Sequence, residues 1–500
     1  MLLHRGEKGI KPYQAVLALL CGGAMQFTFS PYDHNWLALI ALSVWGWLLL
    51  NSEHPFTISY LFGLGWFGLG SWWLADTFHL YGGLAYPVAY GCVALVGVVM
   101  ALFPAIWGWL AVRASGRTSD SSSRIILLFP ASAVLLEWLR GHLFTGLPWT
   151  SLGNLILDTP AASWASVVGV YGAAAIPALI GISLAAFSHR KAGPAALAGL
   201  LLSVALIWFA PQPARIEGEA RTAALIQGNI SQDVKWDRAF LEETMHRYDT
   251  LSTSAADESD ILIWPEAAVP LFLSQAPGWD RWLTNRVTIW NRPLLFGGLK
   301  VAAEKPGELP VAQNGLFIQL PGASGRDFTG KHHLVPFGEY VPAWLPWLHT
   351  LVPGIADFRP AENGGVLTDG DTVFGSLICY ESIFPEEARA RVAQGAQVLV
   401  VVTNDAWYGR SPAAWQHLQA ARVRAIETGR YLLRAANTGV SAIIAPDGSI
   451  TATAPWWTQS VVKGTYRLSD AVTPYQKWGD LPSIVVACLL LLAGRARRER

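Results

Sequence analysis

The stretch GSLICYES, residues 375–382, places a single thiol, Cys379, directly after a short apolar run. Such a run is typical of a buried β-strand, and side chains that follow strands are where a scaffold often presents its chemistry. The other cysteines, Cys21, Cys92 and Cys488, lie inside longer apolar runs, where a thiol behaves as a small hydrophobe. Cys379 has no partner for a disulfide framework, so we expect its thiol to be either inert core or a reactive group.

Two further stretches place charged residues in comparable positions. Residues 261–266, ILIWPE, end an apolar run on Glu266, and residues 331–340, KHHLVPFGEY, begin with Lys331 in a polar loop. Each residue also has a structural interpretation. The carboxylate can cap a helix, the lysine can simply be solvated, and a lone cysteine after a strand is more often core than nucleophile. The functional interpretation depends on the three residues occurring together.

Glu266, Lys331 and Cys379 form a complete set of groups for acyl transfer. A neutral thiol is a poor nucleophile and needs a base to accept its proton. A carboxylate shielded from water can be that base, and an ammonium stabilises the negative charge that develops on the attacked carbonyl oxygen. Histidine is not required. The pattern therefore predicts acyl chemistry at one thiol, with no metal ion and no other cofactor.

The segment that carries these residues, about 211–477, alternates short β-rich runs with helical stretches. Strands are predicted at Thr222–Ile226 and Val398–Val402 among others, and a helix at Ala413–Thr428. Several of the strands are apolar throughout, which is typical of sheets covered on both faces. We therefore expect a layered α/β sandwich in this segment.

The rest of the chain is too apolar for an ordinary soluble protein. The sequence is 52% hydrophobic and 14% charged, with a mean hydropathy of +0.32, whereas soluble domains are about a quarter charged. Runs of about 20 apolar residues can cross a bilayer, and eight are predicted: about Tyr13–Ser30, Asn35–Leu50, Thr57–Ala75, Ala85–Val112, Ile125–Leu139, Ser163–Phe187, Ala192–Phe209 and Trp478–Gly494. We expect a polytopic α-helical membrane bundle in 1–210, a catalytic domain in 211–477, and a last span with a basic tail in 478–500.

Basic residues orient this predicted bundle. They cluster before the first span, between the fourth and fifth, between the sixth and seventh, and after the eighth. With eight spans, all four clusters fall on one face, which the positive-inside rule assigns to the cytoplasm. The catalytic domain then faces the periplasm of a bacterium. The 36 basic and 36 acidic residues give a net charge of zero, so nothing in the charge indicates a nucleic-acid partner.

At these positions the chain resembles the nitrilase superfamily, whose Glu-Lys-Cys triad sits on an αββα sandwich. Within it, the chain is similar to the family of bacterial apolipoprotein N-acyltransferases, and the match runs over essentially the whole length. The matching stretches are WPE 264–266, HLVPFGE 333–339, CYE 379–381, NDAWYG 404–409, WQH 415–417 and, in the apolar half, EWLRG 137–141. Generic nitrilases are soluble, so the predicted spans favour the membrane family.

The resemblance implies a two-step reaction in the bacterial inner membrane. Glu266 deprotonates Cys379, which takes a fatty acyl chain from a phospholipid. The α-amine of the N-terminal S-diacylglyceryl-cysteine of an apolipoprotein then attacks the thioester, and Lys331 holds both oxyanions. The resemblance also implies a monomer without cofactors. It assigns supporting roles to four residues: Trp236, Glu339, Tyr380 and Glu381.

A loop rich in tryptophan and proline follows these residues. Its apolar side chains are unusual for a surface that faces water. One interpretation packs the loop on the domain core. The other, our hypothesis, makes Trp344, Trp347 and Leu348 a mobile lid that dips into the outer leaflet.

Two other functions and one local feature stay open at this point. A membrane-tethered amidase or nitrilase would hydrolyse small carbon–nitrogen bonds without lipid. A transporter or receptor with a degenerate nitrilase domain would need a broken triad, and all three residues are present. Glu137 and Arg140, near the end of the fifth predicted span, could form an interfacial ion pair or a pocket for a substrate headgroup.

Overall fold

The computed structural model describes residues 9–116, 121–213, 216, 218–302, 311–343, 357–362 and 364–496. A set of apolar helices comes first, an α/β sandwich follows, and one more apolar helix ends the described chain. The predicted lid residues Trp344, Trp347 and Leu348 lie outside the described residues.

The N-terminal helices pack around a core of aromatic rings. Trp45 stacks on Phe62 with ring centroids 4.3 Å apart, and it meets Trp107 and Phe129 edge-on at 4.6 and 5.1 Å. Offset and edge-to-face pairs of this kind add to the stabilisation from apolar burial. The helices are Pro12–Ala24, Asn35–Leu50, Pro55–Gly63, Leu74–Leu80, Tyr86–Met100, Leu102–Ser115, Ser121–His142, Ala165–Ala173, Ala175–Ala186 and Gly193–Trp208.

The lengths of these helices do not confirm eight spans. Among the described residues, two helices are long and apolar enough to cross a membrane, Tyr86–Ser115 and Ser122–His142. A third span results if Pro160–Ala173 and Ala175–Ala186, bent by 66°, count as one. Three more helices are apolar but shorter: Asn35–Leu50, Gly193–Trp208 and Leu481–Ala496.

Breaks in the backbone explain the difference for two of the predicted runs. A π-helical turn, Leu64–Gly68, interrupts the third predicted span. Within the sixth, Gly169 has a φ of 68° that ends regular helix, and a Cβ there would meet the ring of Tyr475 at 2.3 Å. Only glycine tolerates this left-handed backbone in such a tight place. Hydropathy counts apolar residues and does not register such breaks.

Between Ala220 and Arg467 the chain forms two β-sheets. The first has the order β13-β1-β2-β4-β5-β6, with β3 beside β4, and the second has the order β12-β11-β10-β9-β8-β7. The strands of the first sheet are β1 (Ala220–Gln227), β2 (Ile261–Ile263), β3 (Val269–Phe272), β4 (Leu294–Val301), β5 (Ala312–Gln319), β6 (Arg326–Gly330) and β13 (Ser460–Arg467). Those of the second are β7 (Val366–Thr368), β8 (Val373–Ile378), β9 (Val398–Thr403), β10 (Leu432–Ala436), β11 (Ala442–Ile444) and β12 (Ile450–Thr453).

The two sheets pack face to face, and helices cover their outer faces. In β9, Val400 and Val402 point into the core between the sheets, whereas Leu399 and Val401 pack under helices. This two-sided burial explains why the strand is apolar throughout. The covering helices are Leu241–Thr253 and Pro277–Trp290 on the first sheet, and Pro385–Ala393 and Ala413–Thr428 on the second. The predicted αββα sandwich is therefore present.

The topology brings the polar residues to one edge of the sandwich. Strands β1, β2 and β4 run parallel in the first sheet, as do β8, β9 and β10 in the second. The carboxyl ends of parallel strands meet at the same edge of a sheet. Glu266 follows β2, Cys379 follows β8, and Asn404 follows β9. These residues therefore lie close together, although they are far apart in the sequence.

Candidate active site

Cys379 occupies a sharp turn between a strand and a helix. It follows β8 and begins the short 3-10 helix Cys379–Ile383, with a φ of 53° and 6% of its surface exposed. A left-handed backbone is unfavourable for a residue with a side chain, and such strain often marks a functional position. Burial raises the pKa of the Cys379 thiol, as does the charge of Glu266, whereas Lys331 lowers it. The resting group is therefore a thiol that needs a base.

Glu266 is held firmly beside this thiol. Its Oε1 accepts a hydrogen bond from Asn314 Nδ2 at 2.7 Å, and its Oε2 accepts one from the backbone N–H of Asn404 at 3.0 Å. Of the charges that act on Cys379, that of Glu266 raises the pKa of the thiol the most. Hydrogen bonds thus fix both oxygens of Glu266, and its charge acts directly on the thiol, as the predicted role of a base requires.

Lys331 follows β6 and is buried among carboxylates. Its Nζ donates to Glu339 Oε1 at 2.8 Å and lies 3.7 Å from Glu266 Oε1. Burial alone would lower its pKa, but the charges of Glu339 and Glu266 outweigh that effect and raise it. Lys331 is therefore an ammonium throughout the physiological pH range, as the stabiliser of an oxyanion must be.

Glu339 holds Lys331 and the loop that follows it. Besides Lys331, its Oε1 accepts from Asn314 Nδ2 at 3.3 Å, and its Oε2 accepts from the backbone N–H of Val335 at 2.8 Å. Lys331 therefore pairs more closely with Glu339 than with Glu266, whose nearer oxygen lies 3.7 Å from its Nζ.

Glu381 connects the lysine loop to the cysteine turn. This fully buried carboxylate accepts hydrogen bonds from the backbone N–H groups of His332, His333 and Ile378 at 2.7, 3.1 and 2.7 Å. Its charge is balanced by Arg391 at 3.3 Å. Glu381 therefore fixes Lys331 relative to Cys379 without touching either side chain.

Tyr380 joins the site to the N-terminal bundle, whereas Trp236 is an exposed residue. The hydroxyl of Tyr380 donates to the carbonyl of Gly146, in a loop of the N-terminal bundle, at 3.1 Å. Trp236 directly follows the short helix Gln232–Lys235 and is 46% exposed. The structure thus brings together Glu266, Lys331, Glu339, Glu381 and Cys379, with Tyr380 next to Cys379 in the chain. Among the described residues, Trp236 makes no hydrogen bond or ring contact with them, and only its neighbour Lys235 reaches Glu266.

Two residues that contact Glu266 were not predicted from the sequence. Asn314 is a buried amide near the start of β5, between Gln313 and Gly315, so its local sequence carried no contrast that could have marked it. Lys235 is a buried lysine whose Nζ donates to the backbone carbonyl of Glu266 at 2.9 Å. Burial lowers the pKa of Lys235 to about 8, while Glu266 and Cys379 act to raise it. The local sequence did not mark Lys235 as buried, because a lysine next to a tryptophan is also common on protein surfaces.

The lowered pKa of Lys235 predicts a change of stability with pH. Between pH 8 and 10.5 the unfolded chain binds a proton that the folded chain has lost, so the free energy of unfolding rises with pH there. Between these pH values, the free energy of unfolding of the natural protein is expected to rise by on the order of 3 kcal/mol more than that of Lys235→Met. Denaturant titrations at both pH values measure it. Lys463→Met, at an exposed lysine paired with Glu258, should show no such difference, and equal behaviour of both variants would contradict the prediction.

Glu137 and Arg140 form an ion pair inside the N-terminal bundle. Arg140 Nη2 donates to Glu137 Oε2 at 2.9 Å, and both residues are buried. Glu137 also accepts from Ser151 Oγ at 2.6 Å. Arg140 Nη1 donates to the carbonyls of Leu147 and Trp149 at 2.6 and 2.8 Å. The pair therefore binds the loop of residues 143–152. Because these polar groups already have partners within the protein, the ion-pair interpretation is favoured over a headgroup pocket.

Breaking this pair is expected to destabilise the bundle. Arg140→Met leaves the carboxylate of Glu137 buried without its counter-charge, which costs about 3–5 kcal/mol. The melting temperature in detergent measures the loss. In the double variant Glu137→Gln, Arg140→Met, no charge stays buried, so part of the loss should be recovered. A double variant that is as unstable as the single one would contradict this account.

The loop of residues 143–152 and the end of helix Leu74–Leu80 bring the bundle against the active site. Trp149 Nε1 donates to Gln416 Oε1 at 2.7 Å, in addition to the bond between Tyr380 and Gly146. The hydroxyls of Thr77 and Tyr81 donate to the carbonyls of Trp407 and Ala406 at 2.9 and 3.2 Å. The turn that carries Cys379 therefore lies on the side of the sandwich that faces the apolar helices.

Two family models and the full-length relatives agree on the family. Residues 222–473 match the carbon-nitrogen hydrolase family, and residues 21–183 match the apolipoprotein N-acyltransferase N-terminal domain. The apolipoprotein N-acyltransferase of Ralstonia nicotianae is 35% identical over 98% of this chain and 94% of its own length. That of Methylococcus capsulatus is 36% identical over 97% of both chains. A solved amidase from Nesterenkonia sp. AN1 covers 52% of this chain and 98% of its own, at 18% identity and a TM-score of 0.37. The chain therefore belongs to the apolipoprotein N-acyltransferase family of acyltransferases and carries a carbon-nitrogen hydrolase domain.

Proposed function

We propose that the chain transfers a fatty acyl chain from a phospholipid, through a thioester on Cys379, to an apolipoprotein. The acceptor is the α-amine of the N-terminal S-diacylglyceryl-cysteine. The observation that carries this proposal is the set of buried charges around one thiol, with Lys331 held 2.8 Å from Glu339 and 3.7 Å from Glu266.

In the first half-reaction, Glu266 takes the proton of the Cys379 thiol. The sulfur attacks the ester carbonyl of the phospholipid, and the Lys331 ammonium stabilises the oxyanion that forms. The carbon–oxygen bond then breaks, and the proton on Glu266 passes to the departing lysophospholipid. Cys379 is left as a thioester and Glu266 as a carboxylate, ready for a second cycle of proton transfer.

In the second half-reaction, the α-amine of the apolipoprotein attacks the thioester carbonyl. Lys331 again faces the oxyanion, and the carbon–sulfur bond breaks. Glu266 accepts a proton from the amine and returns one to the sulfur. An oxygen ester is exchanged for a more stable amide, so no nucleotide is consumed, and the two substrates follow a ping-pong scheme.

The membrane arrangement belongs to the same proposal. Eight spans would place a monomer in the bacterial inner membrane, with residues 211–477 facing the periplasm. Several apolar helices expose large hydrophobic side chains, among them Leu20, Leu201 and Leu489. Such surfaces suit contact with lipid, and the basic clusters of the sequence support the orientation. The active-site turn then lies near the outer leaflet, where a phospholipid can reach it.

Mass spectrometry of the protein incubated with phospholipid alone tests the proposed function. We expect one fatty acyl adduct on the peptide that contains Cys379, released by hydroxylamine as a thioester should be. A diacylglyceryl peptide added afterwards should discharge the adduct and gain the acyl chain as an amide. Active protein without an adduct would overturn the proposal. Release of ammonia from small soluble amides without lipid would favour the amidase alternative.

Trp344, Trp347 and Leu348 are proposed as the lid that admits lipid. Phe337, in the described part of the same loop, is 42% exposed, as a loop that meets lipid would be. Replacing the three residues by serine is expected to slow acylation from bilayer phospholipid about tenfold, because an apolar lid no longer enters the leaflet. Acylation from a soluble ester donor should be spared, and this pair of rates is the measurement. Equal losses with both donors would count against a lid.

A further inference from the structure

The backbone carbonyl of Cys379 is held by two side chains. It accepts hydrogen bonds from Nε2 of His417 at 2.9 Å and from Oγ of Ser382 at 2.8 Å. Because a carbonyl can only accept, this bond requires a proton on Nε2, in either the neutral or the cationic ring. Two directed bonds on one carbonyl oxygen fix the plane of the peptide between Cys379 and Tyr380.

Fixing this peptide also fixes the N–H group of Tyr380. In a trans peptide the C=O and N–H groups point in opposite directions, so holding the carbonyl on the side of His417 turns the N–H of Tyr380 the other way. Tyr380 lies in the first turn of the helix Cys379–Ile383. The first N–H groups of a helix have no acceptor within it, so this N–H can donate to an oxyanion.

His417 is itself held from its far side by buried charges. Its Nδ1 lies 3.0 Å from Asp405 Oδ1 and 3.2 Å from Arg434 Nη2. Asp405 also accepts from Arg434 at 2.8 Å and from Thr403 Oγ1 at 2.9 Å. A buried network with so many partners holds each member in one orientation. The imidazole therefore has little freedom to leave the carbonyl.

The arrangement Ser382–His417–Asp405 resembles the order of a serine nucleophile with its base and acid. Ser382 Oγ lies 2.8 Å from His417 Nε2. The serine is fully buried, however, and its hydroxyl donates to the carbonyl of Cys379. A nucleophile needs a free oxygen that faces substrate, so these residues act on the cysteine turn and do not attack.

We propose that His417, together with Ser382, is a positioning residue of this reaction: the pair locks the Cys379–Tyr380 peptide so that its N–H joins Lys331 in stabilising the oxyanion. The inference rests on the proposed function, because only acyl transfer at Cys379 forms an oxyanion there. Left-handed backbone at Cys379 supports the same conclusion, since a strained turn keeps its geometry only when its surroundings hold it.

The test compares two reactions of the same sulfur. Acylation by phospholipid forms an oxyanion, whereas alkylation by iodoacetamide does not. Loss of one oxyanion donor lowers the rate of acyl transfer by about 10². For His417→Leu we expect a fall of about 100-fold in kcat for thioester formation and a KM for phospholipid within about twofold. The rate of alkylation of the Cys379 peptide should change less than about threefold.

Further variants separate positioning from general loss of structure. His417→Gln retains a side-chain donor and is expected to recover part of kcat. Ser382→Ala removes one of the two bonds, and an intermediate loss of about tenfold is expected. Ser382→Ala carries the test alone if the leucine variant does not fold. The matched control is Gln419→Leu, a buried polar residue on the same helix as His417, which should leave kcat within about twofold.

Three results decide the matter. Equal falls of acylation and alkylation in a folded variant would overturn the inference, as would an unchanged acylation rate in folded His417→Leu or Ser382→Ala. If the natural protein forms no thioester at all, the proposed function fails instead, and the two failures are thereby distinguished.

Discussion

Replacing Cys379 by alanine is expected to abolish acyl transfer, with a fall in rate of more than about 10⁴-fold. The reaction requires a sulfur that forms the thioester, and no other thiol lies in the catalytic domain. The fold should survive, because the variant removes one atom from a turn held by the bonds to the Cys379 carbonyl and by Glu381. The measurements are the yield of acyl adduct with phospholipid alone and the yield of N-acylated peptide with both substrates.

The matched control for this variant is Cys488→Ala. Cys488 is exposed on the apolar helix Leu481–Ala496, away from the site. Its replacement should leave both yields unchanged. A Cys379→Ala protein that still transfers acyl chains would refute the thioester, whereas an unfolded one would show a lowered melting temperature.

Glu266→Gln is expected to slow thioester formation by about 10² to 10⁴-fold, the usual contribution of a general base. The variant also changes the pH profile. Without the charge of Glu266, the pKa of the Cys379 thiol falls, yet the thiol must now lose its proton to solvent. The rate of the variant should therefore rise about tenfold per pH unit below the pKa of the thiol, whereas the natural protein has its own base. Single-turnover acylation across a range of pH values measures both effects.

A second measurement keeps this result from being confused with unfolding. The Glu266→Gln substitution places an amide where Asn314 and the Asn404 N–H now donate to a carboxylate, so a loss of about 1–3 kcal/mol in stability is expected. The control is Glu258→Gln, at an exposed carboxylate paired with Lys463. It should alter neither rate nor pH profile. A Glu266→Gln protein with a natural rate and profile would show that another group takes the proton.

The sandwich and the positions of the triad were predictable because the relevant signals are local. Each strand carries its own apolar run, and Glu266 and Cys379 closely follow such runs. Strand β9 was recognisable as doubly covered because every residue in it is apolar except the last. Strands β3, β6, β7, β10 and β13 were missed, because they are very short or because polar residues and proline interrupt their apolar pattern.

The supporting contacts could not be predicted, because they join residues that are distant in the sequence. Asn314 reaches Glu266 across 48 residues, and His417 reaches the carbonyl of Cys379 across 38. Nothing in the local sequence of Asn314 or His417 says which strand end each will meet. In the N-terminal helices, the apolar composition was evident from the sequence. The breaks at Leu64–Gly68 and Gly169 were not, because they depend on packing against other parts of the chain.

Tyr380 donates a hydrogen bond to Gly146, and Trp149 donates one to Gln416. Polar contacts therefore join the N-terminal helices to the α/β sandwich beside the active site. A soluble fragment that begins after residue 210 would still contain all three residues of the triad. It would also expose Tyr380 and Gln416, which now bond to the N-terminal bundle. The N-terminal helices therefore help to position the active site as well as to anchor the enzyme. A soluble fragment would retain the reactive side chains but lose contacts that hold them in place.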